Sequence, residues 1–215
     1  MGLIELADDN DLHEPEPVGG PDHPMRAVTR EVAFEAGWSA GRARKVAELF
    51  DGLAEGWAAR PDDPVKQAPI LDGLARGSVN LDGQWLELGS GAGAGTMALR
   101  RRVDRVVAAD LSLEMLLNAP AELAPRIRAD AARLPFADDR FDGILMVNML
   151  LFPNEVDRVL APGGTLLWVN TLGDRTPIHL SGEELLAALP GSWSGSTARS
   201  GSGFWAAVGR DVDQP

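Results

Sequence analysis

The feature that most constrains this chain is a glycine-rich segment near its middle, Gly89-Ser90-Gly91-Ala92-Gly93. An apolar run from Trp85 precedes it and a helix-forming run from Ala94 follows it, so we expect a turn from a strand into a helix. Glycines at this spacing permit positive φ angles and let a ligand approach the backbone closely. The pattern is typical of nucleotide binding, and the alternative is a flexible loop without a ligand.

The glycine spacing alone does not identify the ligand, because Gly89 to Ala94 also satisfies the G-x-G-x-x-A fingerprint of NAD-binding domains. A second predicted strand, Arg105 to Asp110, ends in an acid that could accept hydrogen bonds from both ribose hydroxyls of an adenosine. The alternative for Asp110 is a helix cap. We prefer Ser112 as the cap of the helix that starts at Leu113, which leaves Asp110 free for a ligand.

Composition and charge narrow the class of protein. Of the net charge of −12 over 215 residues, seven negative charges fall in residues 1–24, which contain no Lys or Arg and are rich in proline. This composition predicts an acidic disordered tail over residues 1–24. The absence of cysteine excludes disulfides and favours a cytoplasmic location. The arginines at 100–105 fall at the end of a predicted helix, where the helix dipole favours cations, so no nucleic-acid partner is expected.

Residues 25–80 are predicted to form an N-terminal helical lid. One helical pattern runs over 25–60 with breaks near Gly37 and Gly41, and another over 65–75. Side chains at spacings of three and four form an apolar stripe: Val46, Leu49, Phe50, Leu53 and Trp57. Helices that precede a sheet are free to lie over its strand ends. The alternative, that the stripe packs on the sheet, is preferred for Leu49 and Leu53.

Residues 81–215 alternate predicted strands and helices. Further strands are expected over 126–130, 143–148 and 165–169, with helices over 154–160 and 181–189. Two strand-like pieces flank Gly201 to Gly203 and are expected to close the sheet as a hairpin. The alternation and the short loops predict a parallel sheet with right-handed crossovers, and no apolar run is long enough to cross a membrane.

Several segments, in this order, resemble the class I S-adenosylmethionine-dependent methyltransferases. They are Glu87 to Gly93, Ala109 to Leu116, Ala129 to Phe136, Phe141-Asp142 and Arg158 to Gly164. The resemblance covers about residues 81–210 and is closest to the small-molecule branch that includes ubiquinone and menaquinone biosynthesis enzymes. It implies an α/β fold with a Rossmann-like seven-stranded sheet, helices on both faces and an N-terminal helical lid. A dehydrogenase would explain only the first two segments.

The resemblance implies roles for individual residues toward S-adenosyl-L-methionine. The methionine end would meet Glu87 and the turn residues Gly89, Ser90, Gly91 and Gly93. The adenosine would meet Asp110 at the ribose, Leu111 on one adenine face, Asp130 at the adenine amino group and the Ala131 amide. Asn148 would line the methyl-transfer site. Trp57 would cover the cofactor, at a position where the family often has tyrosine.

The implied chemistry needs few reactive groups. A sulfonium methyl is already activated, so the protein has to align the acceptor and exclude water, and no metal is required. A base is needed only when the acceptor is protonated at neutral pH. His179 is the candidate catalytic base, and the alternative is a surface or capping histidine.

We therefore expect methyl transfer to a small acceptor that is apolar or aromatic. The apolar run after Asn148 and the short connection from Asn170 to Leu180 leave the acceptor and the methylated atom open. A second hypothesis is a non-catalytic cofactor-binding protein that acts as a sensor or partner subunit, since no clear base is evident. An NAD-dependent oxidoreductase is disfavoured by the later motifs.

Overall fold

The computed structural model describes residues 2–9, 20–58 and 63–211. The strands are β1 Leu3–Glu5, β2 Gln84–Leu88, β3 Arg105–Asp110, β4 Arg126–Arg128, β5 Phe141–Val147, β6 Leu160–Asn170, β7 Trp193–Ser200 and β8 Gly203–Arg210. The helices are α1 Met25–Phe34, α2 Ala40–Ala58, α3 Pro64–Arg76, α4 Ala94–Leu99, α5 Leu113–Asn118, α6 Pro153–Val159 and α7 Gly182–Ala188. None of the helices within these ranges is long and apolar enough to span a membrane.

All the strands belong to one sheet, in the order β1-β7-β8-β6-β5-β2-β3-β4. The pairs from β4 through β6 are parallel, and β8 runs antiparallel to both β6 and β7. This arrangement confirms the α/β fold, the parallel sheet and the closing hairpin. The sheet has eight strands where seven were expected.

The eighth strand lies in the segment predicted to be a disordered tail. Leu3–Glu5 pairs in parallel with β7, and Asp9 Oδ2 accepts a hydrogen bond of 2.9 Å from Ser200 Oγ. The prediction of disorder is wrong for this strand. Strand pairing is made by backbone N–H and C=O groups, and these are present whatever the charge of the side chains. Without β1, β7 would present an unpaired edge. Residues 10–19 of the predicted tail lie outside the described residues.

Helices cover both faces of the sheet. On one face α1, α6 and α7 pack on a core that includes Trp168, and on the other α3 and α4 pack on a core that includes Trp85 and Trp205. Ile70 and Leu74 of α3 are buried in the second core. Helix α3 is therefore part of the layer that covers this face of the sheet, and the lid over residues 25–80 stays a prediction.

The buried face of α2 differs from the predicted stripe. Its buried residues are Ala43, Ala47 and Ala54, whereas Leu49 and Leu53 are 53% and 41% exposed. The interpretation that these two leucines pack on the sheet is wrong. Small side chains let α2 lie close against its neighbours. Of the stripe, Leu49, Leu53 and Trp57 are exposed, while Phe50 is partly buried against the core.

The sheet needs a glycine at position 143, which lies opposite Trp85 on the neighbouring strand. A Cβ atom added there would lie 2.2 Å from Cε2 of the Trp85 indole. Gly143→Ala is therefore expected to lower the free energy of unfolding by about 1–3 kcal/mol, measured by urea denaturation.

Gly52→Ala serves as the matched control for this substitution. Gly52 lies within α2, is exposed, and has no atom within 4 Å of an added Cβ. Alanine should raise the free energy of unfolding there by roughly 0.5–1 kcal/mol, because glycine loses more conformational entropy in a helix. Equal shifts in both variants would contradict the packing argument.

Candidate functional site

The glycine turn lies where the strand order of the sheet reverses. From β2 the chain proceeds outward through β3 and β4, and it then returns to pair β5 on the other side of β2. Ligands of open α/β sheets bind outside the carboxyl ends of the strands at this switch point. The segment that follows β2 is therefore placed at the expected ligand crevice.

The turn has the backbone geometry that its glycines predict. The φ angles of Gly89, Gly91 and Gly93 are 69°, 52° and 91°, all in the left-handed region. The amides of Gly89 and Ser90 donate to the Ala109 carbonyl at 2.9 and 3.1 Å, which ties the turn to β3. A Cβ added at Gly89 would lie 2.7 Å from Sδ of Met149, so a side chain there would displace the residue that packs on the turn.

Asp110 connects the turn to the end of β3. Its Oδ2 accepts a hydrogen bond of 2.8 Å from the Gly91 amide, and its Oδ1 accepts one of 2.8 Å from the Ser112 amide. Burial raises the pKa of this carboxyl, while these backbone donors act in the opposite direction. Ser112 Oγ accepts from the Met115 amide at 3.1 Å, which confirms Ser112 as the cap of α5. The Leu111 amide also acts as a backbone donor to Asp110, and the carboxylate keeps acceptor capacity beyond these bonds.

Glu87 lies beneath the turn rather than at its surface. The side chain is 1% exposed, and its carboxyl is hydrogen-bonded to the Thr96 hydroxyl in the first turn of α4. A Cβ added at Gly95 would clash with Glu87 Oε1, so the carboxyl lies directly under α4. Burial raises the pKa of Glu87 to about 8, and the nearby Asp110 charge acts in the same direction.

Asp130 follows β4 and is contacted by Trp38, which the sequence did not indicate as a site residue. Nε1 of Trp38 donates to both Asp130 oxygens, at 3.0 and 3.1 Å, and Oδ1 also accepts from the Ala132 amide at 2.9 Å. The ring of Trp38 packs edge-on against Phe152, with centroids 5.1 Å apart. Ala131 beside Asp130 is buried, and Leu111 after β3 is half-buried. The available signal was a tryptophan just before the start of α2.

Helix α2 lies against the turn and α5. Ala54 of α2, Ala92 of the turn and Met115 of α5 form one small buried cluster. Asp51 Oδ1 accepts from Ser112 Oγ at 2.5 Å and from the Glu114 amide at 3.2 Å, so an acid that the sequence did not single out joins α2 to the start of α5.

Trp57 lies at the rim of the turn. Its ring packs edge-on against Phe50 at 5.5 Å, and its Cε3 lies 3.9 Å from the position of a Cβ added at Gly91. The side chain is 52% exposed. The structure thus brings Trp57 to the glycine turn without burying it there.

Asn148 follows β5 and is held in an uncommon conformation. Its φ is 49°, which is in the left-handed region, and its side chain exchanges two hydrogen bonds with Thr171. Nδ2 donates to Thr171 Oγ1 at 2.8 Å, and Oδ1 accepts from the Thr171 amide at 2.9 Å. The pair joins the carboxyl ends of β5 and β6 next to the turn.

His179 and Ser90 occupy different parts of this edge. The His179 ring packs edge-on against Phe204 of β8 at 5.6 Å, and burial lowers the pKa of the imidazole. Since β8 lies three strand positions from β2, the ring packs on a part of the sheet away from the turn. Ser90 is buried in the turn, and its Oγ has no hydrogen-bond partner among the described residues.

Residues 86–168 match the family model of a methyltransferase domain. The chain is similar to the demethylmenaquinone methyltransferase of Mycobacterium tuberculosis, with 32% identity over 141 residues, 51% of this chain and 60% of the relative. It is also similar to the enzyme of the same name from Mycolicibacterium paratuberculosis, with 37% identity over 89 residues, 38% of this chain and 39% of the relative. The match thus spans less than two thirds of either relative.

Two solved structures share the fold. One is a complex of DhpI with SAH, with a TM-score of 0.63 and 24% identity, covering 82% of this chain and 100% of that one. The other is a putative S-adenosyl-L-methionine-dependent methyltransferase from Methanococcus maripaludis, with a TM-score of 0.56 and 20% identity, covering 80% of this chain and 94% of that one. The domain match over residues 86–168 and the similarity to the curated relatives agree with the order of motifs along the chain.

Proposed function

We propose that the chain binds S-adenosyl-L-methionine and transfers its methyl group to a small aromatic or apolar acceptor. The observation that carries this proposal is the 2.8 Å hydrogen bond from the Gly91 amide to Asp110 at the switch point of the sheet. It fixes a glycine turn and a carboxylate side by side, with acceptor capacity left on the carboxylate. A ligand that has both an amino acid end and a ribose suits this pair.

The proposed contacts follow the edge of the sheet from β2 to β4. Asp110 would accept from the ribose hydroxyls, Asp130 from the adenine amino group, and Leu111 would pack on the adenine. The buried Ser90 Oγ, which lacks a partner in the described part of the chain, and the glycine turn would serve the methionine end. Trp57 would cover the ligand from α2. We propose residues 81–215 as the cofactor-binding domain.

The bound cofactor would supply an activated methyl group, and the chain would orient the acceptor and exclude water. The similarity to demethylmenaquinone methyltransferases supports a quinone-type acceptor. Asn148, held by Thr171 between β5 and β6, would line the transfer site. His179 is proposed as the base, because burial favours its neutral form. A cytoplasmic location and the lack of a nucleic-acid partner remain predictions from composition.

Calorimetric titration with S-adenosylmethionine, S-adenosylhomocysteine and NAD tests the cofactor. We expect the first two to bind and NAD not to bind. Asp110→Ala should weaken binding about ten- to a hundredfold, because it removes charge-assisted hydrogen bonds of roughly 1.5–3 kcal/mol. Asp104→Ala is the matched control, because it removes an exposed acid that lies one residue before β3 begins, at the opposite end of the strand from Asp110. Equal affinity in the two variants would refute the ribose assignment.

The raised pKa of Glu87 predicts a pH dependence of binding. The free carboxyl holds its proton up to about pH 8. If the ammonium group of the ligand lies near it, that ammonium favours the carboxylate, so binding below this pH releases a proton. The association constant for S-adenosylhomocysteine should then rise with pH, by up to about tenfold per unit from about pH 6 to about 8. Glu87→Gln should flatten this rise, and parallel curves would exclude Glu87 from the methionine site.

Transfer itself is tested with a panel of reduced quinones and naphthols, with S-adenosylmethionine as the donor. We expect formation of S-adenosylhomocysteine together with a methylated product, both detected by mass spectrometry. His179→Gln should slow transfer to acceptors that are protonated at neutral pH without changing cofactor affinity. Tight cofactor binding without transfer to any member of the panel would favour the sensor or partner-subunit hypothesis.

A further inference from the structure

Trp38 restricts how the Asp130 carboxylate can accept further hydrogen bonds. A carboxylate offers about four acceptor positions. The indole N–H uses one on each oxygen, at 3.0 and 3.1 Å, and the Ala132 amide uses a second on Oδ1, at 2.9 Å. Among the described residues no donor uses the remaining position, which is on Oδ2.

The segment that carries Trp38 is held rigidly between α1 and α2. The Gly37 amide donates to the Glu31 carbonyl at 2.9 Å, and a Cβ added at Gly37 would lie 2.8 Å from Glu31 Cβ. Arg42 spans the turn, since its guanidinium contacts the Gly37 carbonyl and bonds the Glu31 carboxylate at 2.6 Å. The edge-on contact with Phe152 holds the other side of the indole. The indole is thus fixed before any ligand arrives.

We infer that Trp38 is a positioning residue for adenine: its N–H fixes Asp130 so that the carboxylate keeps one acceptor for the 6-amino group of the ligand. This inference rests on the proposed function. A purine with an oxygen at position 6 would bring an acceptor toward an acceptor. The fixed carboxylate cannot turn away to relieve that contact, so Trp38 sharpens the choice of adenine over hypoxanthine.

A purely structural role for Trp38 would have a different signature. If the indole only packed, its loss would weaken the binding of both purines by the same factor. If it fixes Asp130, its loss would lower the preference for adenine specifically, because a free carboxylate can rotate and be hydrated by water. The ratio of the affinities for the adenine and hypoxanthine ligands therefore distinguishes packing from positioning, whereas the affinity for one ligand alone does not.

The experiment measures the affinities of S-adenosylhomocysteine and S-inosylhomocysteine by calorimetry for wild type, Trp38→Phe and Trp193→Phe. Phenylalanine keeps an aromatic ring and removes the N–H donor. Trp193 is the matched control, because it is a buried tryptophan on β7 whose Nε1 donates to the Pro190 carbonyl at 2.8 Å. We expect wild type and Trp193→Phe to prefer the adenine ligand by about ten- to a hundredfold, and Trp38→Phe to lose about tenfold of that preference.

The possible outcomes distinguish the inference about Trp38, the assignment of Asp130 and the proposed function. An unchanged preference in Trp38→Phe overturns the inference and leaves the proposed function standing. Equal binding of both ligands by wild type overturns the Asp130 assignment and the inference together. Failure of wild type to bind S-adenosylhomocysteine overturns the proposed function. If Trp38→Phe does not fold, Arg42→Met is measured instead, because it removes the guanidinium contacts that hold the turn before α2. This variant should lower the preference for the adenine ligand. An unchanged preference overturns the inference.

Discussion

The hydrogen bond between the Gly91 amide and Asp110 is the interaction on which the site depends. It joins the turn after β2 to the end of β3, and Asp110 in turn holds the Ser112 amide at the start of α5. Asp51 of α2 accepts from that same serine. A chain of hydrogen bonds therefore runs from the centre of the sheet to the helix that lies over the turn, so the position of α2 depends on the geometry of the strand ends.

Much of the fold could be predicted because its signals are local. The turn at Gly89 to Gly93 needs residues without Cβ, the Ser112 cap needs a hydroxyl before a helix, and the hairpin around Gly201 needs two strands joined by a glycine-containing turn. Each of these lies within a few residues of sequence. The parallel sheet then followed from the alternation of strands and helices.

What the sequence did not reveal depends on contacts between distant segments. Strand β1 forms because β7 has an open edge with which it can pair, and no feature of the Leu3–Glu5 sequence indicates that pairing. The buried face of α2 is made of alanines, since close packing selects small side chains over the more apolar stripe. Trp38 reaches Asp130 across 92 positions of sequence. Asp110, by contrast, was found because it ends a predicted strand, and Asp130 because it lies in a segment that resembles the methyltransferases.

The pairing of β1 with β7 has a consequence for how the chain folds. Glu5 lies opposite Thr197, so two segments that are far apart in the sequence pair at one edge of the sheet. Contacts of such long sequence separation form slowly, because a large loop has to close first. During synthesis β1 also has no partner until β7 has been made. The central strands around β2 are closer together in the sequence, so we expect them to pair before β1 joins the sheet.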